Sequence, residues 1–164
     1  MINLIKLTHK NNSQIKILCE TIKTIWMEYY LDLHGQKLVD YICYFIKPQP
    51  IKDEIKDGAN YYLIYKNEKP IGFFCFYIRN EFLYLRRFYI LKSERNKKTG
   101  TLALNEIIKI AKENNASKIQ VYADINAKET NLIFQKWNFT RKEKVYKCIG
   151  NGYFLKHYKL ILDL

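Results

Sequence analysis

FLYLRRFYILKSERNKKTGTLALNEIIKI, residues 82–110, is the stretch that decides the fold. It begins as an apolar run, continues as a basic loop that ends at Gly100, and then takes up helical spacing at once. Amide groups at the start of a helix point outward, and nearby cations add positive charge. The order of strand, cationic turn and helix start therefore predicts a turn that holds a phosphate.

The length and composition indicate one folded domain. The chain has 164 residues and is 48% hydrophobic, which is enough for a sizeable core and too apolar for a disordered segment. No apolar run reaches the roughly 18 residues that span a bilayer. The first residues lack the long apolar segment of a secretory signal. We therefore expect a single domain over residues 1–164, a cytoplasmic location and no membrane partner.

The charge is strongly positive, at +12 from 28 basic and 16 acidic residues. A positive field attracts anions such as nucleic acid or a polyphosphate cofactor, and it repels small polycations. The sequence contains no DNA- or RNA-binding motif, and its many Lys, Asn and Ile residues indicate a general compositional bias. A nucleic-acid partner is therefore not expected, although a basic nucleic-acid-binding module stays as an alternative.

The cysteines and histidines do not suggest a metal site. The four cysteines are spaced singly with no C-x-x-C pair, and the three histidines show no ligand spacing. We expect no metal, and we expect the cysteines to be small buried hydrophobic residues: Cys19, Cys43, Cys75 and Cys148.

A short strand is predicted at residues 2–7. The rest of the first third of the chain is predicted to be helical. Apolar residues recur at helical spacing over residues 15–30. Asn12 or Ser13 is expected to cap this helix, which ends at His34 and Gly35. A second helix covers residues 38–45. The prolines after it break the helical pattern, and only a short turn is expected at residues 51–56.

From residue 60 onward the pattern is that of strands. Three strands joined by tight turns form an antiparallel meander, and a helix leads from the third strand to a strand parallel to it. A short helix and two closing strands complete the order. The strands are expected at residues 61–65, 71–78, 82–91, 118–122, 143–148 and 153–162, with the short helix at 129–136. This order predicts one α/β domain with a mixed sheet.

The loop RNKKTG, residues 95–100, resembles the acetyl-CoA loop of the GNAT superfamily of N-acetyltransferases, R/Q-x-x-G-x-G/A. Arg95 and Gly100 match its first and last positions. The resemblance extends over nearly the whole chain. NLIFQKWNF, residues 131–139, is similar to the family segment I-x-x-Y-E-K-x-G-F, and residues 149–162 resemble the end of the PaiA-like subgroup, which is associated with polyamine acetylation.

The resemblance implies a single-domain fold with a mixed, mostly antiparallel sheet, helices on both faces and a splayed central parallel strand pair. It implies acetyl-CoA as co-substrate and a primary amine of a small molecule or peptide as acceptor. The backbone of Phe88, Tyr89 and Ile90 would pair with the pantetheine arm. The pyrophosphate would be held by the amides of the loop and helix start, with cationic contacts from Arg95, Lys97 and Lys98. The residues of this predicted site are Arg95, Asn96, Lys97, Lys98, Thr99, Gly100 and Thr101. A homodimer is left open.

Several positions depart from the family pattern. Lys98 replaces a glycine that permits positive φ, and Phe134 replaces the tyrosine thought to protonate the leaving thiolate. Asn126 is the nearest candidate for a family asparagine, and Phe134 is expected only to line the cofactor site. Tyr122 and Asp124 are the remaining candidates for proton transfer. The alternative is therefore a catalytically weak or inactive relative that binds an acyl-CoA or a macromolecular partner.

The closing segment also departs from the PaiA-like subgroup. Lys156 and His157 stand where that subgroup has acidic residues. Acidic side chains suit a polycationic amine, and lysine repels one. The substitution therefore argues against a polyamine acceptor, in agreement with the positive net charge.

Overall fold

The computed structural model describes residues 1–164, in which seven strands form one mixed sheet in the order β1-β2-β3-β4-β5-β7-β6. The strands are β1 (Asn3–Lys6), β2 (Asn60–Lys66), β3 (Lys69–Arg79), β4 (Phe82–Ile90), β5 (Lys118–Asp124), β6 (Thr140–Gly150) and β7 (Tyr153–Asp163). The helices are α1 (Asn12–His34), α2 (Gln36–Tyr44), α3 (Pro48–Lys56), α4 (Thr99–Glu113) and α5 (Lys128–Lys136). A short 3-10 turn covers Lys92–Glu94.

The strand directions agree with those predicted from the sequence. β4 and β5 run parallel, as the crossover through α4 predicts. β1 with β2, β2 with β3, β5 with β7 and β6 with β7 are antiparallel pairs. The predicted α/β class and the mixed, mostly antiparallel sheet with a central parallel pair are confirmed.

The predicted N-terminal cap of α1 was wrong. The residue that precedes the helix is Asn11, and Asn12 and Ser13 lie within the first turn. The Asn11 side chain does not cap the helix, because its Oδ1 accepts the backbone N–H of Thr8 at 2.7 Å and the Thr8 hydroxyl at 2.8 Å. The predicted end at His34 is confirmed, and Gly35 leaves the helix at φ 81°.

The prolines at 48 and 50 follow the end of α2, as predicted, and they also begin a further helix. Proline lacks the N–H that a helix interior needs, but the first turn of a helix does not use that donor. α3 therefore starts at Pro48 and runs for nine residues, longer than the predicted turn. The side-chain amide of Gln49 donates to Asp53 Oδ1 at 2.8 Å along its surface.

The chain divides into two compact units, and the assignment of residues 1–164 to one domain stays a prediction. The first unit comprises Met1–Tyr77 and Arg87–Ile107. One side of α1 is buried with the inner residues of β2 and β3, and each such side chain contributes about 1.5–3 kcal/mol. The fully buried members of this core on α1, β2 and β3 are Ile15, Leu18, Ile22, Ile25, Tyr61, Leu63, Phe73 and Cys75, with Cys19 nearly so.

The second unit comprises Ile78–Arg86 and Ile108–Leu164. In β5, Ile119, Val121 and Ala123 are buried on one face. β6 is one of the two edge strands of the sheet, and most of its residues are exposed. The predicted burial of Cys148 was wrong, because this cysteine lies on the edge strand and is exposed.

Candidate functional site

The first residues of the loop between β4 and α4 are hydrogen-bonded to other elements of the first unit. Leu91 N–H donates to the Ile71 carbonyl on β3 at 2.9 Å. The Glu28 carboxylate on α1 accepts the N–H of Lys92 at 2.8 Å. The loop therefore leaves the strand in a direction fixed by both β3 and α1.

Arg95, the first residue of the quoted loop motif, folds back onto the strand that precedes it. Its Nε donates to the Ile90 carbonyl at 3.1 Å, and its own N–H donates to the Lys92 carbonyl at 3.2 Å. The other guanidinium N–H groups are not used by this bond, and the side chain is half-buried. Arg95 thus holds the loop in shape and keeps a positive charge beside it.

Glu94 has the only carboxylate of the loop, and this carboxylate forms ion pairs with two lysines. Its Oε2 lies 2.7 Å from Lys66 Nζ, and its Oε1 lies 3.3 Å from Lys97 Nζ. The hydrogen bond from Lys66, followed by the weaker contributions of Lys97, holds the pKa of Glu94 below the ordinary value of 4.5, although burial opposes this. Lys97, predicted to contact a phosphate, thus forms an ion pair with Glu94.

Because the pKa of Glu94 is lowered on folding, its contribution to stability is present above the ordinary pKa and is lost as the pH falls through the lower folded value. We expect a carbon-13 NMR titration of the Glu94 carboxyl to have its midpoint below 4.5. Lys66→Met should move this midpoint upward. The control, Lys97→Met, should move it less, because Lys97 is more exposed. A wild-type midpoint at or above the ordinary value would contradict the ion-pair assignment.

Lys98, which stands where the family pattern has glycine, has a positive φ, a backbone conformation that glycine adopts readily. Its φ is +62°, and that of Asn96 is +61°. The Lys98 carbonyl accepts the N–H of Leu102 at 3.0 Å, which is the first hydrogen bond of α4. The amides of Thr99 and Gly100 precede that bond at the helix start, where backbone N–H groups point outward. Gly100 is the second residue of α4.

A lysine at positive φ costs about 1–2 kcal/mol relative to a residue that tolerates this conformation. We therefore expect Lys98→Gly to be more stable than Lys98→Ala by about 1 kcal/mol in urea unfolding, although both variants lose the same charge. The comparison of these two variants separates backbone strain from the effect of the ammonium group. Equal stability of the two would contradict the strained conformation.

The last residues of β4 use their side chains for packing. The Tyr89 and Tyr30 hydroxyls lie 2.8 Å apart, and the Tyr89 ring stacks on Phe73 at 5.6 Å between centroids. Phe88 points to the other face, where its ring contacts Phe74 edge-on at 6.5 Å. The parallel ladder with β5 ends at the pair Leu85 and Val121. Residues 86–90 of β4 therefore extend beyond that ladder.

In the second unit, Asp124 shapes the connection from β5 to α5. It is the last residue of the strand, rather than the first after it, and it is 3% exposed. Its Oδ1 accepts the N–H of Asn126 at 2.8 Å, which closes a tight turn. The Asn126 side chain is exposed.

Asn131 was missed by the sequence argument. Its side-chain amide donates to the carbonyls of Asp124 at 2.7 Å and Ala127 at 2.9 Å, so it ties α5 to the end of β5. Its Oδ1 is buried and has no protein partner. The signal in the sequence was a polar residue four positions after Ala127, on the inward side of a short helix.

Tyr122 and Phe134 lie in the same unit in different environments. Tyr122 is half-buried, and its hydroxyl accepts the side-chain amide of Gln120 at 3.1 Å. Phe134 is 6% exposed and packs edge-on against Phe139 and Trp137 at 5.0 and 5.7 Å. Phe134 is thus a core residue of the second unit.

No group of three or more His, Cys, Asp or Glu side chains is placed to hold a metal ion. None of the helices combines the length and the apolar character that crossing a membrane requires. The cytoplasmic location stays a prediction.

The family model described as Acetyltransferase (GNAT) family matches residues 19–139, which include the whole of the loop and both β4 and β5. The chain belongs to the GNAT family of acetyltransferases. The predicted resemblance is therefore confirmed from sequence as well as from the fold. No curated protein sequence matches the chain.

Solved structures of other GNAT proteins share the fold. The PaiA N-acetyltransferase of Thermoplasma acidophilum, in complex with coenzyme A, superposes with a TM-score of 0.83 at 16% identity, over 100% of this chain and 99% of that one. A GCN5-related N-acetyltransferase structure from Rhodopseudomonas palustris gives 0.80 at 15% identity, over 99% and 95%. A GNAT acetyltransferase of Elizabethkingia anophelis with acetyl-CoA bound gives 0.64 at 15% identity, over 99% and 98%.

Proposed function

We propose that the protein is an N-acetyltransferase that transfers the acetyl group of acetyl-CoA to a primary amine of a small molecule or peptide. The observation that carries this proposal is the loop before α4. Hydrogen bonds at Leu91, Lys92 and Arg95 fix the position of the loop. The backbone then enters α4 with a positive φ, a conformation that glycine adopts readily. Such a site suits a diphosphate.

The charges around the loop support the same ligand. Arg95 and Lys98 are cationic side chains at the loop, whereas the only loop carboxylate, Glu94, is neutralised by Lys66 and Lys97. In this proposal the amides from Asn96 to Thr101 hold the pyrophosphate. The backbone of β4 at Phe88, Tyr89 and Ile90 pairs with the pantetheine arm, as a further strand would.

The structures with coenzyme A and acetyl-CoA come from proteins that share this fold. In the reaction, acetyl-CoA supplies the activated acetyl thioester. The amine must be neutral to attack, so a base or an ordered water has to take its proton. Asp124 is the candidate for this role because it is a buried carboxylate at the end of β5. Tyr122 is the candidate proton donor to the leaving thiolate, since Phe134 carries no O–H group.

Binding and chemistry are tested separately. Calorimetry should detect acetyl-CoA binding, and no binding at millimolar ligand would contradict the proposal. In a thiol-release assay with the best amine of a panel, Tyr122→Phe should lower kcat by about 100-fold with little change in KM, because proton transfer typically contributes this much or more. The control, Tyr146→Phe, changes an exposed tyrosine on β6 and should leave kcat unchanged. An unaltered kcat for Tyr122→Phe would remove this tyrosine from the mechanism.

A second candidate function rests on Phe134. Its burial among aromatic rings fits a relative that binds an acyl-CoA without efficient transfer. This candidate predicts acetyl-CoA binding with no thiol release from any amine. Steady turnover with one amine would exclude it.

A further inference from the structure

The hairpin of β6 and β7, in the second unit, has one face on which cations and aromatic rings alternate. Cross-strand partners lie on the same face of a sheet, and so does every second residue along a strand. The register therefore places three facing pairs in a row on one side of the hairpin, called the hairpin face below: Lys144 and Tyr158, Tyr146 and Lys156, and Cys148 and Phe154. Two of these pairs set a lysine against a tyrosine.

Two aromatic rings of the hairpin face are open to solvent. Phe154 is 68% exposed and Tyr146 is 65% exposed. They stand diagonally across the two strands, about 7–8 Å apart. Lys144 and Lys156 are exposed as well, whereas Tyr158 is half-buried. Neighbouring aromatic side chains with this exposure are typical of a surface that another molecule covers.

The cations of the hairpin face lie against its rings. Arg141 is opposite Leu160 and thus on this face, and its guanidinium carbon lies 3.6 Å from the centroid of the Tyr158 ring. The Lys156 Nζ lies 5.5 Å from the centroid of the Tyr146 ring. A ring attracts a cation through its quadrupole without using the N–H donors of that cation for a conventional hydrogen bond. Stacking surfaces and hydrogen-bond donors therefore occur side by side.

Neither strand contributes a carboxylate to the hairpin face. β6 and β7 contain one acidic residue each, Glu143 and Asp163. Glu143 and its cross-strand partner Lys159 lie on the opposite face, where they form an ion pair at 3.0 Å. Asp163 follows Lys159 by four residues and shares that opposite face. The two strands thus give the hairpin face three positive charges and no negative one: Arg141, Lys144 and Lys156.

We propose that the hairpin face binds single-stranded nucleic acid. A single strand offers phosphates to the cations and unstacked bases to the exposed rings of Tyr146 and Phe154. An acidic peptide supplies the anions without a planar group beside each of them. Sheets that present aromatic side chains to single-stranded RNA bind it in this way. The proposal takes up the alternative of a basic nucleic-acid-binding module, and it does not depend on the acetyltransferase function.

Fluorescence anisotropy of labelled oligonucleotides of about 12 nucleotides tests the proposal on the full chain. Oligo-dT and oligo-U separate DNA from RNA. At least one of them should bind with a dissociation constant of about 1–100 μM, and the logarithm of the binding constant should fall against the logarithm of the salt concentration with a slope of about −2, because three cations contact phosphates. Absence of binding of both at about 50 mM salt overturns the inference.

Ring variants test the stacking. Tyr146→Ala and Phe154→Ala should each weaken binding by about tenfold, because each removes the stacking of one base. Tyr146→Phe keeps the ring and should bind like the wild type. The matched control is Tyr44→Ala, which removes an equally exposed tyrosine that lies beside a lysine on α2 and should leave the affinity unchanged. Wild-type affinity in both Tyr146→Ala and Phe154→Ala contradicts the proposed site.

Charge variants test the phosphate contacts. Removal of two cations in Lys144→Met with Lys156→Met should reduce the salt slope to about −0.7. Lys16→Met, an exposed charge on α1, should keep the wild-type slope. An equal loss of slope per removed charge in Lys16→Met would mean that net charge alone attracts the oligonucleotide. Displacement of the oligonucleotide by poly-glutamate at equal charge would assign the face to an acidic protein and overturn the inference.

Cys148 gives a readout at the site itself. It is exposed and lies opposite Phe154 on the hairpin face. A saturating oligonucleotide should slow its alkylation by iodoacetamide, measured by mass spectrometry, because the bound strand covers the thiol. The half-buried Cys43 on α2 serves as the internal reference and should react at an unchanged rate. An unchanged rate at Cys148 as well would place the oligonucleotide elsewhere and overturn the inference.

Discussion

Gly72→Ala is expected to destabilise the protein by about 2–3 kcal/mol and to weaken acetyl-CoA binding by about tenfold or more. A Cβ at this position of β3 would lie 2.5 Å from the Tyr89 carbonyl oxygen and 3.2 Å from Ile90 Cα. Both obstacles are backbone atoms, which cannot rotate away as a side chain would. β4 must therefore move, and it moves at the residues proposed to pair with the pantetheine arm.

Urea unfolding and calorimetry with acetyl-CoA measure the two effects. The control is Ile15→Ala, which removes buried volume from the first turns of α1 and should cost about 2–5 kcal/mol. If the folded fraction of this variant binds acetyl-CoA with wild-type affinity, lost stability alone does not weaken binding. Wild-type affinity in Gly72→Ala would show that the backbone of β4 at Tyr89 and Ile90 does not hold the cofactor.

Arg87→Met is the second change with a large expected effect, a loss of about 2–4 kcal/mol in the free energy of unfolding. The Arg87 side chain is 12% exposed and donates to Glu54 Oε2 on α3 at 3.0 Å. It also donates to the Tyr61 hydroxyl, and its guanidinium carbon lies 5.7 Å from the centroids of both Trp26 and Tyr61. The variant leaves the Glu54 carboxylate partly buried without its cation.

A double-mutant cycle with Glu54→Gln isolates the pair from the ring contacts. We expect a coupling free energy of about 1–3 kcal/mol, because the two side chains are in contact and mostly removed from water. The control, Lys56→Met, changes an exposed charge on the same helix and should stay within about 0.5 kcal/mol of the wild type. A coupling energy near zero would mean that packing on Trp26 and Tyr61 accounts for the whole effect of Arg87.

The sequence was sufficient for the parts of the fold that depend on local periodicity. The apolar spacing of residues 15–30 places α1, and the aromatic and β-branched runs separated by turn residues after residue 60 place the strands. The parallel pairing of β4 and β5 follows from the length of the connection. The loop motif was found because it lies between a strand and a helix, and both flanking elements were predicted independently of it.

Other features depend on contacts between distant parts of the chain. Glu54 and Arg87 are 33 positions apart, and Lys66 and Glu94 are 28 positions apart. In a chain with 28 basic residues, no pattern tells which lysine meets which carboxylate. The positive φ of Lys98 was similarly hidden, because lysine has no preference for that conformation and only the packed loop enforces it.

The edge strand β6 also bears on how the protein avoids aggregation. An unpaired strand edge is a template for adding a strand from another molecule. β6 is interrupted by register shifts at 141–143 and 148–150, and it carries charges that would repel the same strand of a second copy: Arg141, Lys142, Lys144 and Lys147. A continuous sheet through two β6 strands is thus disfavoured. A homodimer joined edge to edge at β6 is therefore not expected, and the backbone edge of β6 should resist amyloid-like growth.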